Sequence, residues 1–253
     1  MKFFLIAGAV NGLLSVALGA FGAHMLEGRV ADKYLETWQT AVQYQMFHSI
    51  GLIAVAILMS SALLGPLGSL SWAGYLMLAG IDPVMACKGE DEVLFPENVD
   101  AMIKYLLPHA KVVTPNLVEA GQLSGLGVLQ TVEDLQKAAE KIHAHGAKFV
   151  VIKGGKQLKH EKAADLLFDG DKHYLLTADK TDTTYNHGAG CTFAAAITAN
   201  LANGQSVKDA VYNAKIFVST AIAHGWKLNE YVGPVMHGAA NKFQKAQVEV
   251  VEL

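Results

Sequence analysis

Six charged side chains are all that the first eighty residues contain: Lys2, Arg29 and Lys33 against Glu27, Asp32 and Glu36. A stretch so poor in charge cannot cover itself with a hydrated polar face, so it belongs in a core or in lipid. Phe3 to Phe21 is almost continuously apolar, broken by Asn11, Ser15 and small glycines, and Met46 to Leu64 is a second such run. Each approaches the roughly 20 residues that cross a bilayer as a helix. Between them lies a polar segment, Glu27 to Gln45, in which Tyr34, Leu35, Trp38 and Val42 recur at helical spacing. That pattern predicts a short amphipathic helix at an interface. A third apolar run, Leu67 to Ile81, is too short to span. A cleaved signal peptide competes for residues 1–21, but the second apolar run favours membrane helices. Lys2 on one flank and Arg29 with Lys33 on the other leave the orientation open.

The texture changes at Ile81. Of the 20 basic and 23 acidic residues in the 253-residue chain, 17 and 20 lie beyond Gly80, so the whole formal net charge of −3 is carried there. The sequence therefore divides into residues 1–80, an all-α hydrophobic segment, and residues 81–253, a domain of ordinary soluble composition. This division accounts for a chain that is 52% hydrophobic and only 17% charged. No basic patch is dense enough for a nucleic-acid partner. Cys87 and Cys191 are the two cysteines. They make no disulfide framework and suit a reducing, cytoplasmic compartment for the second domain.

In that domain Ile81-Asp82-Pro83-Val84-Met85 reads as the end of a buried strand stopped by Pro83. A polar loop follows from Cys87 to Glu92, then a helix from Pro96 to about Leu107. Val112-Val113-Thr114 is a short strand, and Pro115-Asn116 turns into a helix through Leu123. Thr131 to His145 is amphipathic and opens on Thr131-Val132-Glu133-Asp134, a capping sequence. Phe149 to Ile152 is a fully apolar strand ending at Lys153-Gly154-Gly155. Strands near Asp165–Phe168 and His173–Thr177 flank an Asp169-Gly170 turn. A last helix is expected from about Ser206 to His224, before a tail that ends in Val248–Val251. Strands alternating with helices predict an α/β fold whose parallel sheet is covered on both faces, with ligands at the carboxyl ends of the strands. Asp82, Asn116, Lys153 and the loop at Gly188 all follow strand-like runs, so the chemistry converges on one edge.

That loop is Tyr185-Asn186-His187-Gly188-Ala189-Gly190-Cys191-Thr192-Phe193. Two glycines within three residues run straight into an Ala-rich apolar stretch, which reads as a tight loop feeding the first turn of a helix. The unpaired N–H groups and partial positive charge of a first turn hold anions. They would also lower the pKa of the Cys191 thiol, favouring a thiolate that acts as base or nucleophile. A glycine-capped core helix with a buried cysteine explains the same residues, and they alone do not decide between the two.

Five motifs in order make the comparison specific: Asp82-Pro83-Val84-Met85, Cys87-Lys88-Gly89-Glu90, Thr114-Pro115-Asn116-Leu117-Val118-Glu119-Ala120, Lys153-Gly154-Gly155 and His187-Gly188-Ala189-Gly190-Cys191. In these, residues 81–253 resemble the C-terminal part of the ribokinase-like vitamin kinases, the pyridoxal kinase and hydroxymethylpyrimidine (phosphomethylpyrimidine) kinase group, in its Gram-positive branch with two cysteines. The resemblance implies ATP-dependent phosphorylation of the hydroxymethyl group of pyridoxal, pyridoxine or hydroxymethylpyrimidine, with Mg²⁺, in an enzyme whose intact members are homodimers.

Residue by residue, the resemblance makes Cys191 the base that deprotonates the substrate hydroxyl, with Gly188, Ala189 and Gly190 offering N–H groups to the transferred phosphate. Cys87 matches a lid cysteine that joins an aldehyde substrate; an incidental loop thiol is the alternative. Asn116 and Glu119 would position Mg²⁺ and its water near the phosphates, although a helix cap with an acid at i+3 has the same spacing. Lys153, Gly154, Gly155, Lys156 and Gln157 match an ATP-binding segment, and Asp165 a nucleotide contact. Asp82 would face the phosphates or the metal. Asn186 stands where the family often has Thr. Residues 1–80, with Gly8-Ala9-Val10-Asn11-Gly12, Leu18 to His24 and Tyr44 to His48, resemble a small bacterial inner-membrane family of unknown function. Two partial resemblances meet between Gly80 and Asp82, inside an apolar run and without a linker, as expected of a gene fusion, a deletion or an assembly artefact. The ribokinase-like sheet is then incomplete and membrane association is expected through residues 1–80. Weak or absent kinase turnover follows.

Overall fold

A computed structural model of the chain describes residues 2–30, 32–60, 96–228 and 233–253. They belong to two compact units, Met1–Leu78 and Ala79–Leu253. The expected strand at Ile81–Met85, with Asp82, and the loop carrying Cys87 lie outside the described residues, as does the third apolar run.

The first unit is a helical hairpin of α1 (Lys2–Phe21), a π-helical turn (Gly22–Leu26) and α2 (Asp32–Ser60). The interfacial helix and second apolar run expected separately are one continuous α2, because no proline interrupts the sequence between them. Phe4, Leu52 and Ala56 form a small buried cluster in the hairpin's seam, but small and polar residues share that seam and much apolar surface is left outside. Gly8, Ser15 and Ser49 are buried, whereas Phe3, Ile6, Leu13, Val16, Phe47 and Ile50 are exposed. Gly8 brings the backbones together: a methyl there would sit 2.7 Å from Ile53 Cγ1 and 2.8 Å from the Ser49 carbonyl. Polar groups bond across or along the seam, with Trp38 Nε1 donating to the Leu18 carbonyl (2.9 Å) and Gln45 Nε2 to Asn11 Oδ1 (3.4 Å). Among the described residues, α1 with its π-helical turn is the one helix long and apolar enough to cross a membrane.

In the second unit helices cover both faces of a five-stranded sheet. After α3 (Pro96–Ala101) the helix widens to a π-helical turn (Met102–Leu106) and tightens to a 3₁₀ turn (Leu107–His109). Pro108 has no N–H to continue an α-helical ladder, so the single helix expected to Leu107 breaks up. Strand β1 (Val112–Val113) and helices α4 (Leu117–Ser124) and α5 (Val132–Ala144) follow. Helix α5 starts where its capping sequence put it: Thr131 Oγ1 accepts from Asp134 N (3.2 Å) and Asp134 Oδ2 from Thr131 N (2.9 Å). Its buried residues, Leu135, Ala138, Ala139 and Ile142, make one helical stripe against the sheet.

Among the described residues, strands β2 (Phe149–Gly155), β3 (Ala163–Phe168), β4 (His173–Ala178) and β5 (Glu249–Glu252) extend the sheet in the order β1-β2-β3-β4-β5. Only β1 and β2 pair in parallel among the described strands; β2 to β5 are antiparallel neighbours. The sheet is therefore mixed where a parallel one was expected. Short loops join β2 to β3 and β3 to β4, and such loops permit only antiparallel return. Alternation along the strands divides the core. Val150, Ile152 and Leu166 pack beneath α4 and α5, whereas Val151, Leu167 and Leu176 pack beneath α6 (Ala189–Ala202) and α7 (Val207–Ala223). The short α8 (Ala239–Lys242) precedes β5.

Candidate active site

The parallel pair β1–β2 continues past its formal end. Lys153 N donates to the Pro115 carbonyl (2.8 Å), and Asn116 and Lys153 form a further parallel bridge. Both residues thus stand at the carboxyl ends of the parallel strands, as expected.

Asn116 caps α4. Its Oδ1 accepts from Glu119 N (2.9 Å), while Glu119 Oε2 accepts from Asn116 N (2.7 Å). This reciprocal capping box is the structural alternative weighed for the pair, and it leaves Glu119 buried at 2% exposure. The two oxygen donors suit a hard cation in chemistry, and one of the Glu119 oxygens already serves the helix.

After Lys153 the chain bulges. Lys153 lies opposite Asp165 and Gly155 opposite Ala164, so Gly154 is the extra residue. Only glycine fits there, because a methyl on Gly154 would come within 2.5 Å of the Ala164 carbonyl and 3.2 Å of Leu158 Cβ. Lys156 and Gln157 form the exposed turn that follows, with Lys156 Nζ donating to the Thr183 carbonyl (3.2 Å). Asp165 is turned inward. Its Oδ1 accepts from Gly155 N (3.0 Å) and its Oδ2 from Lys215 Nζ (2.7 Å), in an ion pair buried on both sides.

Gly188 starts α6 with φ +81°, a left-handed conformation that strains any residue with a Cβ. Thr192 N bonds the Gly188 carbonyl (2.9 Å), closing the first turn. Ala189 N donates to the Asn186 carbonyl (3.2 Å), so its N–H is spent within the loop and the expected anion donors narrow to Gly188 and Gly190. Lys153 faces this turn: a methyl on Gly190 would lie 3.5 Å from Lys153 Nζ. An ammonium group and the positive end of a helix are thereby aimed at one spot. Cys191, in the same turn, is exposed on the rim of a cleft of about 880 Å³, whose walls include Asn200, Asn213, Phe217 and His237.

The loop is held from behind. His187 N donates to the Gly233 carbonyl (3.0 Å), Val235 N to the His187 carbonyl (3.2 Å), and Thr192 Oγ1 lies 2.9 Å from His237 Nε2. His187 thus shapes the loop through its backbone. Lys215 and His237 were missed in the sequence. Lys215 sits in an apolar helix stripe, where a buried lysine signals an ionic partner, but nothing in the sequence names Asp165 as that partner. Among the described residues no three acidic, His or Cys side chains gather as a metal centre.

Residues 77–236 match the family model described as phosphomethylpyrimidine kinase, and residues 18–83 match one described as a protein of unknown function (DUF423). The pyridoxine kinase of Bacillus subtilis (strain 168) is 55% identical over 166 residues, 66% of this chain and 61% of its own. The hydroxymethylpyrimidine/phosphomethylpyrimidine kinase of Haemophilus influenzae is 40% identical over 166 residues, 64% and 61% of the two chains. The structure of the pyridoxal kinase from Staphylococcus aureus in complex with AMP-PCP aligns with a TM-score of 0.65 at 60% identity, covering 68% of this chain and 62% of that one. The same kinase in complex with pyridoxal aligns at 0.64. The chain thus spans little more than three fifths of the length of these relatives. On the strength of residues 77–236, it belongs to the phosphomethylpyrimidine kinase family.

Proposed function

We propose that residues 81–253 carry the nucleotide-binding and anion-hole half of an ATP-dependent kinase. Its acceptor is the hydroxymethyl group of a B6 vitamer, pyridoxal or pyridoxine, or of hydroxymethylpyrimidine. The observation that carries this reading is Lys153 Nζ standing over Gly190 in the first turn of α6, beside Cys191. A phosphoryl group passing between ATP and an alcohol spreads negative charge over its oxygens, and fixed donors aimed at that charge lower the barrier. Lys153 and the N–H groups of Gly188 and Gly190 supply such donors. Cys191 takes the proton from the substrate hydroxyl, whose oxygen attacks the γ-phosphorus as ADP departs.

The turn from Gly154 to Gln157 borders the nucleotide. Asn116 and Glu119 would hold the water shell of Mg²⁺, with Asp82 completing the set; when bound, the ion neutralises phosphate charge. By resemblance alone, Cys87, which lies outside the described residues, would join an aldehyde substrate. Relatives solved with AMP-PCP and with pyridoxal support this choice of ligands.

The test is ADP release and phosphate transfer to pyridoxal, pyridoxine and hydroxymethylpyrimidine by the purified chain and by Cys191→Ala. Weak transfer by the wild type, as the incomplete sheet implies, that Cys191→Ala lowers by about 10²-fold or more is the expected result. No transfer to any of the three, with ATP bound, leaves a nucleotide-binding chain and overturns the kinase reading.

A second reading concerns the first unit, because many of its large apolar side chains are exposed while Gly8, Ser15 and Ser49 are buried in its seam. We infer that the hairpin inserts in a membrane, where that arrangement is the stable one. Recovery of the chain in carbonate-washed membranes is expected; recovery in the soluble fraction would refute insertion.

A further inference from the structure

The sequence comparison cast Asp165 as a nucleotide contact, but its surroundings indicate a different task. It projects from β3 on the same face as Lys153, its cross-strand neighbour, toward α6 and α7. Both carboxylate oxygens are engaged: Oδ2 by Lys215 Nζ at 2.7 Å and Oδ1 by Gly155 N–H at 3.0 Å. Lys215 reaches it from α7, where its helix neighbours Val211, Ala214 and Val218 are buried in the apolar core. Asp165 is 5% exposed and Lys215 3%.

Two charges withdrawn from water add little net stability compared with apolar residues of similar volume, so such a pair is better explained by the geometry it specifies. Here that geometry is the bulge. The extra residue Gly154 throws Gly155 N–H out of the β2–β3 ladder, and Asp165 Oδ1 is the acceptor that catches it. The bulge immediately follows Lys153, so its shape sets the direction in which Lys153 Nζ leaves the strand.

We propose that Asp165 and Lys215 are a positioning pair: they lock the Lys153–Gly155 bulge so that Lys153 is delivered to the first turn of α6, and neither touches the nucleotide. The consequence for nucleotide binding rests on the kinase reading above; the anchoring of the bulge does not.

The full-length chain is compared with Asp165→Asn/Lys215→Gln, which removes both charges but keeps an oxygen for Gly155 N–H, and with Asp165→Ala/Lys215→Met, which removes that acceptor. Amide hydrogen exchange at Gly155 reads the anchor without any ligand, and calorimetric titration with MgATP reads its effect on the site. In the Ala/Met variant Gly155 exchange should rise about tenfold or more and MgATP binding weaken by about as much. The Asn/Gln variant should hold both within about threefold of wild type, as a rescue by hydrogen bonding alone.

Loss of MgATP affinity in the Asn/Gln variant, with Gly155 still protected, would mean that the Asp165 charge meets the nucleotide and would overturn the proposal. So would unchanged MgATP affinity in the Ala/Met variant despite faster exchange, since the pair would then be structural only. If the Ala/Met variant does not fold, the Asn/Gln variant still decides between anchoring and contact. If the wild type binds no MgATP, the kinase reading fails by itself. Gly155 exchange then decides alone, and protection unchanged by Ala/Met substitution refutes the anchor.

Discussion

Thr192 Oγ1 lies 2.9 Å from His237 Nε2, which ties the first turn of α6 to a chain segment forty-five residues further on. Thr192 is itself buried and is the neighbour of Cys191, so the tie fixes the turn that carries the proposed base. His237→Ala should lower the stability of the second unit by about 1 kcal/mol, the net worth of one hydrogen bond. His237→Gln, whose side chain also offers a polar atom to Thr192, should recover most of it. Denaturant unfolding of the three proteins checks this.

Cys191 is exposed at the cleft rim and takes no part in the apolar core, so its loss should leave the fold intact. Cys191→Ala is expected to reduce phosphoryl transfer by about 10²-fold or more, the usual worth of a positioned general base. The dissociation constant for MgATP should be unaltered. Kinetics and calorimetry on one preparation separate the two quantities.

Two glycines of the site are held by different constraints. Gly188→Ala keeps a left-handed backbone under strain and should cost about 1–2 kcal/mol. Gly154→Ala drives a methyl into the Ala164 carbonyl and must displace β3, so it should cost more. Melting temperatures in that order, wild type above Gly188→Ala above Gly154→Ala, are the expected outcome.

Asp134 starts α5, where the N–H groups of Gln130 and Thr131 hold its carboxyl below the ordinary value of 3.8. A carboxyl depressed by folding stabilises the native state at any pH above its unfolded value. That contribution fades as pH falls from there through the lower folded value. Asp134→Asn should therefore narrow the gap to wild type as pH is lowered below about 4, with the full difference present at neutral pH. The group is partly exposed and screened by solvent, so the effect at neutral pH is small, on the order of a few tenths of a kcal/mol. Urea midpoints measured from pH 2.5 to 7 would show it.

What could be read in the sequence was whatever short-range chemistry decides. Thr131 and Asp134 announced the start of α5, the Asp169-Gly170 turn announced the hairpin of β3 and β4, and the run Phe149 to Ile152 announced a strand buried on both faces. Residues set by distant partners were not legible. Val248 to Val251 read as a tail, and it is the backbone of β4 that makes Glu249–Glu252 a strand. Lys215 read as one more helix residue, because its partner lies fifty positions upstream. The site divides in the same way. Gly188 and Cys191 could be picked out by local pattern, whereas the aim of Lys153 at Gly190 exists only once β2 and α6 are packed on one sheet.

The reciprocal bonds between Asn116 and Glu119 bear on ion choice. A cation that stripped its own hydration shell to bind the Glu119 carboxylate directly would compete with Asn116 N–H for an oxygen and unfasten the start of α4. One that keeps its waters asks for no direct bond from the carboxylate oxygen that holds the cap. Magnesium parts reluctantly with water, whereas calcium takes six to eight oxygens directly. If the proposed kinase site takes an ion there, the cap would favour a hydrated one over one that binds the carboxylate bare.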